Sequence, residues 1–318
     1  MIWVTWRQHR IEALIAGVVL AGLIIILLVL GIEMTSTYQS TGLANCSEQL
    51  PACGELEGNF INHFSLSVNL ITIMLTTLPL LVGMFIGAPL VARELEQRTH
   101  RLVWTQSITR MRWLGTKLLL LIGVTLLAFI ALIPLIAWWS APWDAVTSPW
   151  STYEVRGIVL PAYALFALVL GIAAGILSRR PVAGIGITIV LFILLRLAIA
   201  FWLRPYFLPP LVSISSIDRP GAPSHTDWLI EIGTIDRTGQ ELSNNTISHI
   251  CPQIIGKGDA QAFAAFQACE QQHGFHSRSF YQPADRFWLF QVIESSIFLL
   301  LAIAFLVPGV WFVSKKLT

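Results

Sequence analysis

Six apolar runs, each long enough to cross a bilayer, dominate the chain at residues 11–32, 67–91, 114–139, 157–177, 184–203 and 287–313. A helix needs about 20 residues to traverse a hydrocarbon core about 30 Å thick, and a helix in lipid satisfies its own backbone. The expected fold class is therefore an all-α integral membrane protein with six transmembrane helices. Only 12% of its 318 residues are charged and 55% are hydrophobic, with a mean hydropathy of +0.70, whereas a soluble domain carries about 25% charged residues. The first run is too long for the apolar region of a signal peptide, and no small-residue cleavage site follows it, so it is expected to remain as an anchor.

Six spans put both termini on one side. Arg7 and Arg10 precede the first run, a dense cluster follows the second, Arg179 and Arg180 follow the fourth, and Lys315 and Lys316 follow the sixth. All four groups fall on the same side, which the distribution of Lys and Arg makes cytoplasmic. Between residues 34 and 66, on the opposite side, there is no Lys or Arg. The net charge of +2 says less than this placement, and the twelve tryptophans suit membrane interfaces.

The four cysteines agree with that orientation. Cys46 and Cys53 fall in the first outer loop and Cys251 and Cys269 in the last, the side on which disulfides persist. The expected pairs are Cys46–Cys53 and Cys251–Cys269, with four free thiols or cross-loop pairing as alternatives. Neither a CxxC nor a paired histidine accompanies them, so no metal site is expected.

The chain divides accordingly. Residues 1–10, MIWVTWRQHR, read either as a short interfacial helix, with tryptophans at headgroup depth, or as an ordinary basic flank. Residues 11–203 carry the first five helices and the charged segment 92–117. Residues 204–286 form an outer loop domain, with turn chemistry and β-like runs such as DWLIEIG in its first half. Its second half, DAQAFAAFQACEQQHGF, has the spacing of an amphipathic helix tied by a disulfide. Residues 287–318 hold the last helix and the C-terminus.

Ionisable groups inside spans are costly and so become functional candidates. Arg196 lies about 20 Å along the fifth span and Glu294 about 10 Å along the sixth from its opposite end. The two reach one depth and are expected to pair, with Gln291 one turn from Glu294 on the same face. Such a pair can line a substrate path or pin two helices together. Pro79, Pro89, Pro134, Pro161 and Pro308 mark expected bends. No HExxH, GxSxG or P-loop is present, so no enzymatic activity is expected of the chain, and its basic residues are too dispersed for nucleic acid.

The segment ARELEQRTHRLVWTQSITRMRWLGTK, residues 92–117, concentrates five arginines, a lysine and two glutamates between two spans. APLVARELEQRTHRLVWTQSITRMRWLGTKL resembles the coupling region of permease subunits of bacterial type-2 ATP-binding-cassette (ABC-2 type) transporters, and both chain ends are similar to those of such permeases. The resemblance implies a permease that forms a homodimer in the bacterial cytoplasmic membrane and exports a hydrophobic or amphipathic substrate. One cytoplasmic ATPase per subunit would dock on residues 92–117 and bind the ATP and Mg, with no cofactor in this chain. Docking then falls by position on Glu94, Glu96, Arg98, Thr99 and Arg101, and on Thr105, Arg110 and Arg112. Val103, Trp104, Ser107 and Ile108 would add an apolar patch on a short helix. The rival readings are a membrane sensor whose outer loop binds a ligand, and an ion-coupled carrier using Arg196 and Glu294.

Overall fold

A computed structural model of the protein describes residues 2–46, 51–97, 110–215, 223–252, 265, 268–269 and 272–315. Six helical stretches are long and apolar enough to cross a membrane: Gly17–Ser40, Cys53–Glu94, Leu114–Val146, Val159–Ser178, Pro181–Tyr206 and Ala284–Val313. Each coincides with one of the six apolar runs. The helices that build them are α1 (Ile2–Ser40), α2 (Pro51–Leu81), α3 (Ala88–Glu96), α4 (Arg110–Val146), α5 (Val159–Ser178), α6 (Pro181–Ala198) and α8 (Phe287–Lys315). Residues 2–10 extend α1 without a break.

The stretch free of Lys and Arg is a helical hairpin. Both α1 and α2 continue past the expected span ends; in α1 no proline or glycine interrupts the chain from Glu33 until Gly42, which adopts a left-handed φ of 78° at the turn. Met34, Leu43, Phe60 and Phe64 pack along the hairpin, and the Cys46–Cys53 disulfide closes its tip.

Helix α5 lies at the centre of the bundle, with nearly every side chain buried. It carries no charged residue and is apolar all round, the pattern of a helix that other helices surround. Glycines four residues apart allow that enclosure. A Cβ on Gly171 would fall 2.2 Å from the Gly83 carbonyl oxygen, and one on Gly175 would fall 2.2 Å from that of Ala88. Gly83 and Gly87 present the matching surface, so backbones meet where only small residues fit. The facing segment, Val82–Gly87, is π-helical and follows Pro79, which has no N–H for the ladder. Pro161 bends nothing: it falls in the first turn of α5, where its missing N–H removes no helical bond.

A second compact unit comprises Thr147–Trp150 and Pro205–Phe287. Here the all-α expectation fails. Strands β1 (Leu211–Ser215), β2 (Trp228–Ile235), β3 (Glu241–Leu242) and β4 (His276–Gln282) form an antiparallel sheet in the order β1-β4-β2-β3. The run DWLIEIG lies largely in β2, and its short β-branched stretches find partners in the sheet rather than remaining a loop. A short helix, α7 (Asn244–Ile250), is capped by the Ser243 hydroxyl, and the Cys251–Cys269 disulfide packs with Phe275. The expected amphipathic helix around Phe263 and Phe266 lies largely outside the described residues.

The glycine contacts make a sharp prediction. Gly171→Leu places several heavy atoms where the Gly83 carbonyl stands, so the variant is expected to yield little monodisperse protein by gel filtration, whereas Gly115→Leu, at a position with open space, behaves as wild type.

Candidate functional site

The polar residues of the bundle converge on Glu294. Phe290, Gln291, Glu294, Ser295, Phe298 and Ala302 recur at helical spacing and form the buried face of α8, which carries Glu294 away from solvent. Its side chain is 1% exposed. Arg204 donates to both carboxylate oxygens, from Nε at 2.8 Å and from Nη2 at 2.8 Å. The Tyr153 hydroxyl adds a bond at 3.0 Å and the Tyr163 hydroxyl a further one. This bidentate fork is the strong form of the arginine–carboxylate pair.

From Arg204 the charges continue as a ladder. Its Nη1 donates to Glu154 Oε1 at 3.2 Å, and Arg196 Nη2 donates to Glu154 Oε2 at 2.8 Å. Arg196 Nη1 ends the ladder on the Thr76 carbonyl of α2 at 2.9 Å. Each guanidinium also covers a tyrosine ring: Arg196 lies 4.5 Å from the Tyr163 centroid and Arg204 lies 4.6 Å from that of Tyr153.

Helical winding explains why two arginines eight residues apart reach one carboxylate. At 3.6 residues per turn, eight residues overshoot two turns by about 80°. Between them, Ile199–Leu203 is π-helical, with bonds reaching one residue further back, and its looser winding takes up most of that excess. Gln291 sets the other side of the site. Its amide donates to the Tyr153 carbonyl at 2.9 Å and accepts from the Val159 N–H at 3.0 Å. Gly157, with φ 73°, leaves room for that side chain, because a Cβ there would come 2.9 Å from its oxygen.

The expected Arg196–Glu294 pair does not form. Both groups do sit in one network, but Glu294 takes Arg204 and Arg196 takes Glu154. Depth along a helix says nothing of which way a side chain faces, and in the sequence Arg204 falls just beyond the fifth apolar run, at the start of the outer segment. Glu154, Tyr153 and Tyr163 carry no sequence signal that marks them as partners of the buried carboxylate. Burial acts to raise the Glu154 carboxyl, yet Arg196 and Arg204 outweigh it and hold the group below its usual range. Burial and the neighbouring Glu294 carboxylate push the Tyr153 hydroxyl up, so it stays a donor.

Other ion pairs stand at helix ends elsewhere in the bundle. Asp144, near the end of α4, accepts from Ser140 at 2.8 Å and Thr152 at 2.7 Å and pairs with Arg156. Glu94, near the end of α3, pairs with Lys117 on α4.

Glu94 is half-buried and Lys117 buried, while Glu96 and Arg112 are exposed. Arg110 opens α4. Arg98, Thr99, Arg101, Trp104 and Thr105 lie outside the described residues. Among the described residues no cluster of His, Cys, Asp or Glu could hold a metal ion.

Six apolar helices around a fully paired internal charge network define a multi-pass membrane protein. The chain belongs to the ABC-2 membrane transporter related family, whose family model matches residues 17–204, and it is an ABC-2 type permease. The match takes in the five spans up to Arg204. Neither a curated protein nor a solved structure matches the chain.

Tyr163→Phe removes one donor from a carboxylate that has no access to water. The expected loss is about 1.5–3 kcal/mol, the range for a hydrogen bond to a charged group, read as a lowered denaturation midpoint of the purified protein.

Proposed function

We propose that this chain is the membrane-spanning permease subunit of an ABC exporter in a bacterial cytoplasmic membrane. It works as a homodimer embedded in lipid and moves a hydrophobic or amphipathic substrate with ATP hydrolysed by a separate ATPase subunit. The chain itself has no catalytic role and no cofactor; ATP and Mg belong to the partner. The observation that carries this reading is the family match over residues 17–204, which includes the charged segment between the second and third spans.

The Glu94–Lys117 pair supports the reading mechanically. These residues stand at the two ends of that segment, and their pairing ties the end of α3 to the start of α4. A push or pull delivered to residues between them passes into both helices together. In this reading Glu94 braces the segment, whereas the exposed Glu96 and Arg112 and the side chain of Trp104 meet the ATPase.

Co-expression with an ABC ATPase from the same genome tests the proposal. Tagged wild-type chain is expected to bring the ATPase down in gentle detergent. Trp104→Ala and Arg112→Ala are expected to lose most of it, and Glu94→Gln to keep the ATPase but uncouple its hydrolysis from transport. Recovery of no ATPase with wild type would overturn the reading. Transport by the purified chain alone would then favour an ion-coupled carrier, and ligand binding by the 205–287 unit a sensor.

A further inference from the structure

We propose that Arg196 and Arg204 form a binding site for the phosphate or carboxylate head of an amphipathic ligand, and that the Glu154 carboxylate is its built-in occupant. Both guanidiniums are held without Glu154. Arg204 is fixed by the two oxygens of Glu294 and by the Tyr153 ring, and Arg196 by the Thr76 carbonyl and the Tyr163 ring. Each keeps one nitrogen for Glu154, whose two oxygens each accept from a different arginine. A single anionic group bridging two planar guanidiniums is how arginines take up phosphate or carboxylate.

Charge and access single out Glu154 as the exchangeable member. Two arginines balance two glutamates, so displacing one carboxylate leaves a net charge of about +1 to be met by a ligand. Glu294 is 1% exposed and receives four hydrogen bonds, whereas the Glu154 side chain is 36% exposed. Its backbone is pinned nearby, since Gln291 bonds the Tyr153 carbonyl and the Val159 N–H. Exchange therefore asks only for rotation of the Glu154 side chain.

The surroundings of the site are apolar. Ile193, one turn from Arg196 on α6, is 41% exposed, and Ile73, one turn from Thr76 on α2, is 59% exposed. A ligand whose head replaces Glu154 would lay its tail along these side chains. The site stands on the geometry of the bundle and does not need the exporter reading, because a ligand binds here whether or not it is carried.

Binding is tested on the purified full chain in a neutral detergent, without any ATPase, using dodecyl phosphate, dodecylphosphocholine and inorganic phosphate as probes and the unfolding midpoint as readout. Dodecyl phosphate is expected to stabilise wild type and dodecylphosphocholine not. Glu154→Gln, which removes the competing charge while keeping the shape, is expected to bind dodecyl phosphate about tenfold tighter. Glu33→Gln, an exposed carboxylate elsewhere, leaves binding unchanged, and Arg196→Gln, where it folds, loses it. No gain in Glu154→Gln, or equal binding of the zwitterion, would overturn the site. Inorganic phosphate binding as tightly as dodecyl phosphate would overturn the amphipathic ligand.

Discussion

A carboxylate sealed inside an apolar bundle is the constraint around which this molecule is arranged. Moving an isolated charge out of water costs far more than a domain's net stability, so Glu294 persists only because donors reach both of its oxygens. Those donors come from three stretches: Arg204 from the extension of α6, Tyr153 from the connection before α5, and Tyr163 from α5 itself. Each has a local device that delivers it. The π-segment rotates Arg204 into place, Gln291 fixes the peptide that carries Tyr153, and the enclosure of α5 holds Tyr163 still.

Enclosure of α5 depends in turn on backbone contact. A central helix surrounded by others has no lipid face, and its neighbours come close only where side chains are absent. Gly171 and Gly175 on α5, with Gly83 and Gly87 opposite, supply that approach. Contact at the glycines and charge pairing at Tyr163 thus act on one helix. At the far end of α3, Glu94 and Lys117 join the second and third spans. The bundle is held by a few polar pairs set in a surface that is otherwise uniformly greasy, where apolar contact alone does not tell one helix orientation from another.

The legible part of the fold follows from what lipid demands. Six runs of sufficient length read directly as six helices, and cysteines confined to two segments read directly as two disulfides. The sheet was half legible, through the β-like run in β2, but strand pairing between residues 211 and 282 is a long-range fact that local pattern does not carry. For the charge network, Arg196, Gln291 and Glu294 stood out because ionisable and amide groups are rare in apolar spans. Their partners did not, since Arg204 and Glu154 sit at span boundaries where charge is ordinary and the tyrosines look like interface residues. A π-segment leaves no mark in the sequence either, so the facing of Arg196 and Arg204 could not be read from spacing. The glycines four apart at 83 and 87 and at 171 and 175 were available as a packing signal.

The most direct test of the central constraint is a double-mutant cycle at Arg204 and Glu294, with unfolding free energies measured for Arg204→Met, Glu294→Met and the double variant. Arg204→Met leaves Glu294 buried without a cation and is predicted to cost about 3–5 kcal/mol, Glu294→Met leaves Arg204 with Glu154 as its remaining carboxylate and costs less, and the double variant, with two apolar side chains of similar length, returns to within about 1–2 kcal/mol of wild type. Losses that simply add in the double variant would show that the two residues act independently, and would contradict a bundle organised around their pairing.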